Sequence, residues 1–169
     1  MDRPRSSLKY VDAKDLDDKD LKFAGLEVDG VDGEKLGKVE GFIIDVDEGR
    51  PYHVVVGAGH LFKHKHFLLP VGHVALDETS KKLIADITKQ RVEQFPGFDK
   101  GEFEKLSKDE LKQMANTMAA ACCPDDVVII AAWETADHYR YPSWWDASFY
   151  RPERIANTDE VGITGDRRR

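Results

Sequence analysis

Between residues 21 and 88 the apolar positions fall in short runs, mostly two apart, broken by turn residues. Phe23–Val28 opens the set. The longest run, Leu36–Val46, sets Val39, Gly41, Ile43 and Asp45 on one face and Glu40, Phe42, Ile44 and Val46 on the other. Tyr52–Val56, Lys65–Leu69, Val71–Leu76 and Lys82–Ile87 follow. Between them lie Asp32-Gly33, Asp47-Glu48-Gly49, Gly57-Ala58-Gly59 and Asp77–Ser80, residues that tolerate the backbone angles of tight turns. Gly41, in mid-run, marks a bend or bulge. Six short strands at this spacing predict a small antiparallel barrel, in which closure removes free strand edges.

The period then changes. Thr88–Gln94 predicts a short helical turn capped by Thr88 and stopped by Phe95-Pro96-Gly97-Phe98. Ser107 and Glu110 form a Ser-x-x-Glu capping box. Leu111, Met114, Ala115, Met118, Ala119 and Cys122 continue from it at helical spacing, one apolar stripe on an amphipathic helix. Pro124-Asp125-Asp126 opens like a helix, yet Val127–Ile130 is β-branched; periodicity does not decide so short a run, and residues 124–133 are read as helix with a strand as the alternative. The expected fold is mainly β with an α extension: a polar arm (1–20), a barrel (21–100), a helical and aromatic-rich extension (101–150) and a charged, disordered tail (151–169).

Composition narrows the function. With 34% charged residues and a net charge of −7, the 169-residue chain does not look like a nucleic-acid binder, and none is expected as partner. No apolar run approaches the ~18 residues of a membrane span, although peripheral membrane contact stays open. The first twenty residues lack the apolar core of a secretory signal, so a cytoplasmic protein is expected. The only cysteines, Cys122 and Cys123, are adjacent, which excludes a disulfide scaffold. Cys122 continues the apolar stripe and is read as packing. The charge is uneven. Nine acids face three lysines between Asp20 and Glu48, and bases lead acids seven to five between His60 and Lys100.

Several runs between residues 25 and 99 resemble the PRC-barrel family. They are Gly25-x-x-Val28 leading into Asp32-Gly33-Glu34-Lys35-Leu36-Gly37-Lys38-Val39, then Tyr52–Val56 with its Gly-rich turn, then Lys65–Val71 with Pro70. Asp86–Val92 and Phe95–Asp99 resemble the end of free-standing bacterial members. The family is known from the cytoplasmic domain of the photosynthetic reaction-centre H subunit and from a ribosome-maturation factor. The resemblance implies a six-stranded docking module with no catalytic residues to carry over. By analogy it also suggests an accessory of a photosynthetic or electron-transport membrane complex.

Two constellations stand out. His64 and His66 share a strand face, with His60, His53 or Asp45 as a third donor, which is a spacing metal sites use. Lys63 and Lys65 beside them would repel a divalent ion, and no adjacent carboxylate orients the rings. The other is aromatic. Trp133, Tyr139, Tyr141, Trp144, Trp145, Phe149 and Tyr150 make seven of the sixteen aromatic residues within 18 positions. Such rings carry large contact area with a polar handle, so they either pack back on the barrel or bind a partner. The acidic loop at Asp29–Glu34 lacks the frame of a calcium loop, Gly57-Ala58-Gly59 is too short for a phosphate cradle, and no nucleophile elbow is present.

The chain is therefore expected to be a non-enzymatic, cofactor-free binding or assembly module. Tyr139, Tyr141, Trp144, Trp145, Phe149 and Tyr150 are its expected contact residues, and self-association into a homo-oligomer is expected through them. The alternative is a small metal-binding protein that uses His60, His64 and His66.

Overall fold

Lys35–Asp45 forms an eleven-residue strand, long enough to hold three neighbours. In the computed structural model, which describes residues 8–16, 22–59, 65–122 and 139–150, it organises the sheet. Seven strands are present among the described residues: β1 (Leu8–Asp12), β2 (Glu27–Asp29), β3 (Lys35–Asp45), β4 (Arg50–Gly57), β5 (His66–Pro70), β6 (Val74–Asp77) and β7 (Lys82–Ala85). The path of hydrogen-bonded neighbours is β5-β4-β3-β2-β7-β6, with β1 beside β3. β4 pairs along one edge of β3. β2 and β1 divide the other edge, β2 at Lys35–Lys38 and β1 at Gly41–Asp45.

This corrects the expected six-stranded antiparallel barrel in three respects. β1 is a seventh strand built from part of the polar arm, where Leu8, Tyr10 and Val11 supply the apolar contacts. The sheet is mixed, because β2 and β7 run parallel. It does not close among the described residues, since β5 and β6 end the path without pairing. Yet those ends are joined by only a 3₁₀ turn, Val71–His73. A connection that short reaches roughly 14 Å, so the sheet curls until its ends are near neighbours. The expected strand at Val71–Leu76 is that turn followed by β6, and only Glu27 and Val28 of the expected Phe23–Val28 strand are in β2.

Gly41 has a visible purpose. The β3–β4 register shifts between Val39 and Gly41, a bulge. A Cβ at Gly41 would fall 2.5 Å from the Val11 carbonyl oxygen, so glycine lets β1 lie against β3.

Three α-helices follow among the described residues: α1 (Lys89–Val92), α2 (Lys100–Phe103) and α3 (Lys108–Cys122). Thr88 caps α1 through its hydroxyl, which accepts from the Arg91 N–H. Asp99 caps α2. Ser107 and Glu110 make the reciprocal capping box ahead of α3, at 2.8 and 3.2 Å. Leu111, Ala115 and Met118 of the stripe are buried. Leu68 on β5 lines one cavity with Met114 and Met118, so α3 lies over the face of β4 and β5 that also carries Val55 and His53. Val54 and Val56 point to the opposite face, inside the curl. Both faces are covered, which is why Pro51 through Val56 are all buried. Leu111, Met118 and Trp145 join the strand residues in one core cluster. Residues 124–133, Cys123, Trp133 and 151–169 lie outside the described residues.

Candidate functional site

The aromatic segment returns to the sheet by anchoring three polar ring atoms. Tyr139 is 1% exposed. Its hydroxyl donates to the Ala115 carbonyl of α3 at 3.1 Å and lies 3.3 Å from Nε2 of His53 on β4. Because the hydroxyl hydrogen goes to Ala115, the His53 Nε2–H donates to the tyrosine oxygen, which fixes the tautomer. Burial pushes the His53 pKa down to about 3, so the ring is neutral. The Arg50 guanidinium donates to the Tyr139 carbonyl at 2.7 Å and covers the Tyr52 ring at 4.7 Å.

Trp145 is buried, and its indole N–H donates to the Gly49 carbonyl at 2.8 Å. It closes an aromatic cluster with Phe23, Phe42 and Phe149, at centroid distances of 5.1 to 6.0 Å. Trp144 is half-buried, and its N–H donates to the Val74 carbonyl at 2.9 Å. β6 is an end strand of the path, so Trp144 takes the place that a neighbouring strand's N–H would occupy.

The expected contact residues thus divide. Tyr139 and Trp145 face the interior. Trp144, Phe149 and Tyr150 are half-buried against the chain. Tyr141 projects outward, 44% exposed. Val31, 59% exposed, is the other exposed large apolar side chain among the described residues.

These two converge. Val31 and Tyr141 line one surface groove of about 540 Å³, with Trp144 as part of its wall. Its floor is the outer face of β6 and β7, where Ala75 pairs with Ile84. His73 and Asp86 sit beside that floor with Nδ1 and carboxylate oxygen 2.8 Å apart. Arg140 stands exposed on the segment's side. An apolar floor, an aromatic wall and a charged rim thus meet in one groove.

The sequence did not mark Val31 or the pairing of His73 with Asp86. Val31 follows Gly30 in a turn, where no periodicity applies. The His73–Asp86 pair joins residues thirteen apart that only the β6–β7 pairing brings together. His53 was legible as a strand residue and a candidate third donor, not as an anchor, and Arg50 fell outside the expected Tyr52–Val56 strand.

Of the histidine alternative only His66 is among the described residues. His60 and His64 lie outside the described residues. His66 lines a separate cavity of about 390 Å³ with Tyr10, Glu40 and Asp99. The Lys100 ammonium sits 4.9 Å above the Tyr10 ring there. The Tyr10 hydroxyl shares its hydrogen between the Asp12 carboxylate and the Glu40 carbonyl, and burial with that carboxylate raises its pKa. Among the described residues no group of three His, Cys, Asp or Glu side chains could hold a metal ion. No helix among them is long and apolar enough to cross a membrane.

Residues 20–92 match the family model of the PRC-barrel domain. That span contains β2 through β7 and α1. No curated protein matches the chain.

Proposed function

We propose that this chain, which carries a PRC-barrel domain over residues 20–92, is a non-catalytic docking module of the cytoplasm. A protein partner seats in the groove between Val31 and Tyr141. One observation carries the proposal: the two exposed large apolar side chains among the described residues line the same groove. Isolated exposed apolar residues are ordinary, whereas a convergent pair beside Trp and Arg is the composition of an interface centre. The buried anchors Tyr139 and Trp145 hold the wall in place before a partner arrives, which reduces the ordering cost of binding.

The test compares wild type with a Val31→Asp/Tyr141→Ala double variant. Both positions are exposed, so the variant keeps its fold, which circular dichroism checks. Affinity capture from cells that make the protein should retain a partner with wild type and lose it with the variant. Light scattering reads whether that partner is a second copy. Equal capture by both proteins contradicts the proposal.

A further inference from the structure

We infer that the groove over β6 and β7 takes a segment of another protein that sets an apolar side chain on Ala75 and Ile84 and a carboxylate on Arg140. The inference rests on the docking reading above and names the chemistry of the partner.

The two outer faces of the sheet are treated differently. The face of β4 and β5 lies beneath α3, and its residues are buried. Among the described residues the corresponding face of β6 and β7 has no such cover: Ala75 is exposed and Ile84 half-buried. Its floor of Ala75 and Ile84 is bounded by Val31 and Tyr141, an apolar surface on which an inserted apolar side chain can rest.

The charges of the rim decide what accompanies it. Asp86 is engaged with His73 at 2.8 Å. Asp32, next to Val31, accepts from the backbone N–H groups of Glu34 and Lys89. Arg140 is exposed, and among the described residues it makes neither an ion pair nor a hydrogen bond. Beside these two hydrogen-bonded carboxylates, which keep their charge, the rim presents one guanidinium with no partner among the described residues, and its planar fork matches a carboxylate. The net charge of −7 disfavours an acidic partner at long range. Physiological salt screens that field within about 8 Å, so the contact at Arg140 dominates on docking.

The geometry suits a segment better than a second copy. A stable dimer covers about 800 Å² on each partner, and two exposed apolar side chains supply little of that. The walls are already fixed. Trp144 is held on the Val74 carbonyl, and Tyr141 lies 6.0 Å from the Arg50 guanidinium.

The experiment titrates the ¹⁵N-labelled full chain with three probes: acetyl-Leu-Asp-Leu-amide, its Asn isostere and its Lys counterpart. Wild type and Arg140→Gln are compared. Amide shifts should appear at Val31, Ala75, Ile84 and Tyr141. The Asp probe should bind roughly tenfold more tightly than the Asn probe, and Arg140→Gln should erase that difference. Equal binding of the Asp and Asn probes, or tighter binding of the Lys probe, overturns the acidic assignment and leaves the docking reading intact. If none of the probes shifts the groove amides, both fall.

Discussion

The Tyr139 hydroxyl lies 3.3 Å from Nε2 of His53, a residue 86 positions earlier in the chain. One buried hydrogen-bond relay, His53 to Tyr139 to the Ala115 carbonyl, thereby ties β4, α3 and the aromatic segment together. Tyr139→Phe keeps the ring and removes the relay's centre. Loss of the acceptor at a buried N–H costs ~1–3 kcal/mol. Urea denaturation should show that loss, with a midpoint shift and an unchanged slope.

His53 also predicts a pH dependence. Its pKa is about 3 in the native chain, against ~6.5 when unfolded. Between those values the unfolded state binds more protons, so stability rises with pH. The contribution is complete above pH ~6.5 and is lost as pH falls, by up to ~1.4 kcal/mol per unit toward the native pKa. Denaturant titrations at pH 7, 6 and 5 should show this slope in wild type, and His53→Gln should flatten it.

Trp144 and Trp145 are neighbours with unequal loads. Trp145 is 4% exposed amid Phe23, Phe42 and Phe149. Trp145→Ala opens a cavity and should cost ~3–5 kcal/mol. Trp144→Ala gives up partial burial and the Val74 contact, and should cost less, ~1–3 kcal/mol. Thermal unfolding of both variants checks the order.

At Gly41 a methyl group has no space, because the Val11 carbonyl and the Tyr10 ring stand 2.5 to 2.7 Å from where it would be. Gly41→Ala should loosen β1 from β3 at a cost of ~1–3 kcal/mol. Hydrogen exchange should speed up across Tyr10–Asp12, while the amides of β4 keep their protection.

Much of the strand pattern was legible because it depends on local alternation. Leu36–Val46 declared itself by period, Gly41 by its place within that period, and Ser107 with Glu110 by spacing. The parallel β2–β7 pair was not legible, since strand neighbours depend on how the whole sheet curls. β1 was missed because Lys9 and Asp12 dilute its apolar residues to the level of a solvated arm. The aromatic run was conspicuous, but its division between inside and outside was not. Tyr139 is buried and Tyr141 exposed although their chemistry is the same. Val31 had no signal: a single apolar residue in a turn acquires meaning only when the fold sets it across from Tyr141.

The central claim is that the Val31–Tyr141 groove is where a protein docks. The most direct measurement replaces Tyr141 with a photo-crosslinking phenylalanine derivative in cells that make the protein, with the same replacement at exposed Glu104 as control. A discrete adduct from position 141, absent from position 104 and lost when Val31→Asp is added, is the predicted result. No adduct from position 141, or the same adduct from both positions, would contradict the account.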